Sequence, residues 1–132
     1  MSLLTELQKY APPEERGAYK SGERYKMFQV SYPSPRKRRQ RATFCYIPER
    51  DGDVDGNISM LAKMAECTRS EVVIGAIRAV AEDTGLIRPD FKAELRAVAA
   101  HSGINNLSRT VVAAVKLAWM QHLTQAETDG YQ

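Results

Sequence analysis

The stretch VVIGAIRAVA, residues Val72 to Ala81, is apolar almost all round a helical wheel, so a helix formed here must be covered on more than one side. One amphipathic neighbour cannot do that, and the chain has to recruit further elements, its own or a second copy's. Gly75, in the middle of the run, costs a helix about 1 kcal/mol relative to Ala. A glycine makes sense there if another backbone crosses close by, as in a helix pair at a dimer axis. A second nearly all-apolar run, LSRTVVAAVKLAWMQHL, starts at Leu107. The two runs share a hydroxyl, an arginine and a hydroxyl, in TRSEVV from Thr68 and SRTVVA from Ser108. This is a weak internal echo, since helix starts favour Ser and Thr anyway.

The other elements follow from periodicity and punctuation. Asn57 can cap ISMLAKMAE, where Ile58, Leu61, Ala62 and Ala65 recur at helical spacing. After Gly85 and Pro89, the residues Phe91, Leu95, Val98 and Ala99 mark another amphipathic helix, ended by SGINN. At the start of the chain, Ser2 caps a short helix with Leu3, Leu4 and Leu7 on one side and Pro12-Pro13 at its end. Residues 12–35, rich in Pro, Gly, Ser, Tyr and charge, read as an arm that orders only against something else. Next comes PRKRRQRATFCYIPERDGDVDG. Five of the six residues from Arg36 to Arg41 are basic, and RATFCYIP behind them is the one good strand candidate, with the acidic segment Asp51 to Gly56 as a loop. The expected fold class is mostly α with one N-terminal β-strand. It divides into a basic, partly disordered arm (1–37), a strand–helix–helix unit (38–84), a C-terminal helical hairpin with Trp119 as its largest apolar anchor (85–125) and a flexible tail (126–132).

Charge separates along the chain. Residues 1–50 hold 11 basic against 5 acidic side chains and residues 51–132 hold 8 against 11, although the whole carries only +3. That asymmetry points to a polyanionic partner for the first part. Other chemistry finds little footing. Cys45 and Cys67 lie singly, His101 and His122 sit on different helices, and Asp51, Asp53, Asp55 and Gly56 open like a calcium loop but reach Ala62 where a Glu is required. No catalytic constellation, phosphate loop or membrane-length apolar run is present, so the expectation is a cytoplasmic non-enzyme without cofactor or metal.

The order of basic arm, strand, amphipathic helix, turn and buried helix starting TRSEVVIGAIRAVAED resembles the ribbon-helix-helix family of DNA-binding proteins, over roughly residues 38–83. The resemblance implies that two chains pair their strands into an antiparallel ribbon that enters the major groove, with the second helix's N-terminus on the phosphate backbone. A lone strand and an all-apolar helix would both be satisfied in such a homodimer or higher homo-oligomer. The echo from Ser108 to Ala113 raises a single-chain pseudo-dimer as another route, but no convincing second strand precedes it, and residues 91–123 read instead as an extra helical hairpin that pads the core or makes a higher oligomer. The long acidic segment Glu49 to Gly56 departs from the family's tight connection and leaves the strand register open. Burying Phe44 and Tyr46 is cheaper by about 2 kcal/mol each, which turns Arg41, Thr43 and Cys45 toward the bases; aromatic contacts to thymine methyls would favour the opposite register.

Arg36, Lys37, Arg38 and Arg39 would meet phosphates beside the strand, adding affinity rather than sequence choice. Thr68, Arg69 and Ser70 would hold a phosphate at a helix start, where free N–H groups and the dipole favour an anion; a plain N-cap is the simpler role for Thr68 or Ser70. Ser108, Arg109 and Thr110 form a second candidate phosphate site. The expected function is sequence-specific binding of double-stranded DNA by a transcriptional repressor or a plasmid or mobile-element accessory factor, with a protein partner for the C-terminal helices. Two alternatives stand beside it: a helix-turn-helix built from residues 61–78, and a non-enzymatic helical adaptor or oligomerisation module with a basic tail for membrane or RNA.

Overall fold

A computed structural model describes residues 2–14, 25–35 and 38–130, which form a mostly helical fold with one two-stranded antiparallel sheet. In chain order the elements are α1 (Leu3–Tyr10), β1 (Lys26–Tyr32), β2 (Gln40–Tyr46), α2 (Pro48–Asp51), α3 (Asp53–Ala65), α4 (Arg69–Thr84), α5 (Phe91–Ser102) and α6 (Leu107–Gly130). The apolar runs at Val72 and Val111 are the facing sides of α4 and α6. Val73, Ile77 and Val80 on α4 and Val111, Val112 and Val115 on α6 are fully buried. Each helix also packs on the amphipathic helix beyond the other, α4 on α5 and α6 on α3, so both are covered on several sides.

The ribbon closes one end of this four-helix core. β1 and β2 pair from Lys26↔Tyr46 to Tyr32↔Gln40, and the inward side chains alternate as strand geometry requires. Phe28, Val30 and Tyr32 from β1 meet Ala42, Phe44 and Tyr46 from β2 on the core side. Phe91 at the start of α5 locks this layer edge-on, with ring centroids 5.4 Å from Tyr32 and 6.1 Å from Phe44. The register therefore buries the two aromatics of β2 and turns Arg41, Thr43 and Cys45 outward.

The architecture repeats about an approximate two-fold axis, and the repeat unit is offset by 38 residues in the helices. Thr68 and Asn106 cap α4 and α6 in the same way, accepting from Glu71 N–H at 3.1 Å and Arg109 N–H at 2.9 Å. Two positions on, the Ser70 and Ser108 hydroxyls accept the outer-edge N–H of Ser31 and of Cys45 at 2.9 and 3.1 Å. Eight further on, Arg78 and Lys116 each hold a buried carboxylate, Glu94 at 2.8 Å and Asp51 at 2.5 Å. Within the ribbon the axis passes through the pair Gln29↔Thr43. One half thus comprises β2, α3 and α4, the other β1, α5 and α6, and the strands are exchanged between halves: β1 lies on α4, β2 on α6.

Several sequence expectations change accordingly. Residues 26–32 are a strand, not part of an arm, and α1 is docked, with Leu7 fully buried against the core. The chain supplies its own second strand, so the premise that a lone strand must find a partner in a second copy falls away. The segment Asp51 to Gly56 is not a loop. Val54, Asn57, Ile58 and Ala62 bury one face of α3, and Asp53 and Asp55 complement the dipole of its first turn. Gly52 lies between α2 and α3, and only a residue without Cβ fits there, since a Cβ would stand 2.5 Å from the Pro48 carbonyl oxygen. Gly75 is exposed, and among the described residues no atom beyond its own stretch of helix lies within 4 Å of where its Cβ would be, so none of their backbone crosses it. Trp119 is only half-buried, stacked near His122, while the valines of α6 carry the core; the expected tail lies partly in α6, which runs to Gly130.

Two measurements check this construction. Because the ribbon closes within one chain, the denaturant midpoint should not move with protein concentration; a midpoint that rises with concentration would indicate a strand-sharing dimer. Gly75→Ala should raise stability by about 1 kcal/mol, whereas Gly52→Ala, which forces the Pro48 carbonyl aside, should lower it by about 1–3 kcal/mol. Thermal unfolding of the two variants reads both signs.

Candidate nucleic-acid interface

The alternation that buries the aromatics presents a second face to solvent. Its cross-strand pairs are Met27↔Cys45, Gln29↔Thr43 and Ser31↔Arg41. Met27, Gln29, Arg41 and Thr43 are exposed, and Ser31 and Cys45 are half-buried beneath the flanking helix starts. Sequence reasoning reached the β2 side of this face and missed Met27, Gln29 and Ser31. Their signal was there: in MFQVSY, apolar Phe28, Val30 and Tyr32 alternate with the outward residues at period two.

One end of the ribbon is strongly basic. Arg39 donates from its guanidinium to the Ser31 hydroxyl and carbonyl, both at 3.0 Å, which holds it beside Arg41, and Arg38 is exposed next to them. Lys92 and Arg96 from α5 line a shallow depression at the same end with Tyr32, Ser34, Gln40 and the helix-capping Asp90. Arg36 and Lys37 lie outside the described residues. The opposite end carries exposed Lys26 and Met27, the latter the most accessible of the chain's described large apolar side chains at 62%.

The helix starts flank the two edges of the ribbon, but not every residue expected there is free. The Thr68 hydroxyl is an N-cap, and the Ser70 hydroxyl is taken by the strand edge. The Glu71 and Val72 N–H groups of the first turn of α4 are taken by the Thr68 hydroxyl and carbonyl. Arg69 is held by the Asp55 carboxylate and carbonyl and by the Ser59 hydroxyl, so its charge is matched within the fold. That cluster reaches Tyr46 on the inner side of the ribbon: burial and the Asp55 carboxylate push its phenol above the ordinary value, against the opposing pull of Arg69. On the other edge Ser108 matches Ser70, whereas Arg109 and Thr110 turn inward. Arg109 donates to the carbonyls of Pro12 at 2.8 Å and Ile104 at 2.9 Å, and buried Thr110 bonds the Asn106 carbonyl at 2.7 Å.

Residues 61–78 include the α3–α4 turn and the first part of α4. Val73, Ala76 and Ile77 are buried, and its exposed stripe of Glu71, Gly75, Ala79 and Glu82 has no base-reading cation. Among the described residues there is no cluster of three or more His, Cys, Asp and Glu side chains able to hold a metal, and no helix is long and apolar enough to cross a membrane.

The hydroxyl clamps are testable on their own. Ser70→Ala and Ser108→Ala should each cost about 1 kcal/mol by leaving a strand-edge N–H without its acceptor. The double variant should cost roughly the sum, and hydrogen exchange at Ser31 and Cys45 should accelerate. Unchanged exchange would show that the helix starts do not hold the ribbon.

Compared with models of protein families, with curated proteins and with solved structures, the chain shows no significant match.

Proposed function

We propose that the chain is a sequence-specific double-stranded DNA-binding protein of ribbon-helix-helix type in which one polypeptide supplies both halves of the fold. The observation that carries this reading is the ribbon itself: two strands with a polar outer face, clamped at both edges by the start of a buried helix through Ser70 and Ser108. A two-stranded ribbon of this width fits the major groove, and the helix starts then lie over the phosphates on either side. Arg41, Thr43 and Cys45 on β2, with Met27, Gln29 and Ser31 on β1, face the bases. Arg38, Arg39, Lys92 and Arg96 meet the backbone at one end, with Arg36 and Lys37 of the same connection assigned the same role. Thr68, Ser70 and Ser108 set the helix amides against phosphate, and Arg69 acts through Asp55 more than as a free cation. Such a protein serves as a repressor or as an accessory factor at a plasmid or mobile-element site.

The two strands offer different chemistry at matching places. Met27 corresponds to Arg41, Gln29 to Thr43 and Ser31 to Cys45 about the axis. An arginine favours guanine through O6 and N7, whereas an apolar side chain favours a thymine methyl. The preferred site is therefore not a palindrome, and the protein binds it with one polarity.

Selection from random duplexes at physiological salt, followed by sequencing, tests both statements. The wild type should return an asymmetric site with guanine on the Arg41 side. Arg41→Ala should relax preference at that position by about 1–3 kcal/mol, roughly ten- to hundredfold. Met27→Arg should draw guanine into the other half and make the site nearly palindromic. Retention of DNA without sequence preference, lost as salt rises, would leave only a phosphate contact and overturn the reading.

A further inference from the structure

The approximate two-fold axis has two sites for an accessory helix, and the described residues fill one. Helix α1 rests on the end of α5, the outer face of α6 and the end of α4: Gln8 donates to the Ser102 carbonyl, the Leu3 N–H to Asp83 at 2.9 Å, and Arg109 to the Pro12 carbonyl. Leu7 is buried there, with Leu3 and Leu4 packed beside it. Beneath it Ala113 and Ala114 are fully covered. Shifted by 38 residues, that face of α6 becomes the outer face of α4, and the end of α5 becomes the end of α3.

That second place is an open, largely apolar groove lined by Leu61, Ala65, Val72, Gly75, Ala79 and Ala118, with Cys67 and Glu71 at its edge. Gly75 stands where Ala113 lies under α1. A glycine at an exposed helix interior destabilises that helix, and none of the described residues occupies the space it leaves. The missing side chain instead permits a foreign backbone to approach α4 closely. We infer that this groove docks a short amphipathic helix of a partner protein, with leucine-type side chains toward the groove and basic residues at its ends.

Charge selects this occupant over a second copy. The exposed stripe of α4 runs Glu71, Gly75, Ala79, Glu82, small in the middle and acidic at both ends. Two such stripes crossing parallel at Gly75 would set like charges against each other, and crossing antiparallel they would leave each Glu71 facing a neutral Ala79, whereas a basic helix would be complementary. The change from Arg109 to Glu71 at matching positions has the same sense: Arg109 takes a carbonyl from the α1 segment, and Glu71 calls for a cationic donor. The inference does not depend on the DNA reading.

A displayed library of helix-biased peptides about three turns long, panned on the full-length protein, provides the probe. Enriched peptides should pair leucine-type residues at helical spacing with Lys or Arg. Their affinity should fall by about tenfold or more in Gly75→Leu and weaken in Glu71→Gln, while Gly75→Leu melts no lower than the wild type. No enrichment, enrichment of acidic peptides, or binding indifferent to Gly75→Leu would overturn the inference. So would concentration-dependent self-association of the wild type that Gly75→Leu abolishes, because a second copy would then own the groove.

Discussion

The pairing of β1 with β2 inside one chain is the constraint on which the rest of the fold depends. A two-stranded ribbon is marginal by itself, since half its backbone groups face outward and one sheet face must be covered. Here the covering comes from α4 and α6, whose apolar faces are too wide for a single helix pair to bury. The outer-edge N–H groups of Ser31 and Cys45 are closed by hydroxyls from the same two helices. Helices and ribbon therefore lack a stable form apart, and the interleaving of halves makes the fold cooperative from end to end.

How much of this was legible depended on whether the local signal agreed with the tertiary one. Ser2 and Pro12-Pro13 bounded α1 correctly, and the Phe44 and Tyr46 alternation gave the register of β2, because caps and inward aromatics act locally. Strand β1 was missed because its period-two pattern is short and sits between Pro- and Gly-rich flanks, where the turn signal dominated. The first turn of α3 was missed for the related reason that DGDVDG is composed of turn formers. Only the burial of Val54 and Asn57 against the core, together with carboxylates at the positive end of the helix, makes it helical. The internal echo was noticed at the wrong offset. Matching hydroxyl–arginine–hydroxyl aligned Thr68 with Ser108, but the fold aligns Ser70 with Ser108 and Arg78 with Lys116, because contacts to strand edge and carboxylate fix equivalence and Arg109 and Thr110 face inward.

Of the candidate site, the outward set on β2 could be read from the sequence, while the β1 half required the ribbon. The symmetry of the fold is kept inside and lost outside. Tyr32 and Tyr46, Ser70 and Ser108, and Arg78 and Lys116 match because packing and buried polar groups must be satisfied in both halves. Met27 and Arg41, or Gly75 and Ala113, face solvent or an accessory helix and carry no such obligation. A strand-sharing homodimer would impose each substitution on both halves at once. Joining the halves in one chain frees them, and on the proposed function this is what allows an asymmetric DNA site and a docking groove on one half alone.

That freedom carries a hazard, since α4 and α6 resemble each other closely enough for each to compete for the other's seat. The buried carboxylates oppose this. Asp51 comes from the connection between β2 and α3 and is held by Lys116 and by Arg50; Glu94 comes from α5 and is held by Arg78 and by the Arg88 N–H. Taking such charges out of water is costly, and their pairing returns little net stability when geometry is good. Leaving one unpaired costs several kcal/mol, so the pairs act mainly against wrong arrangements. Exchanging the helices would ask lysine, a point charge, to replace the fork of Arg78 at Glu94, and arginine to fit where compact Lys116 reaches Asp51. The carboxylates thus distinguish two helices whose apolar faces alone would not, and with the helices fixed, each ribbon edge meets its own serine.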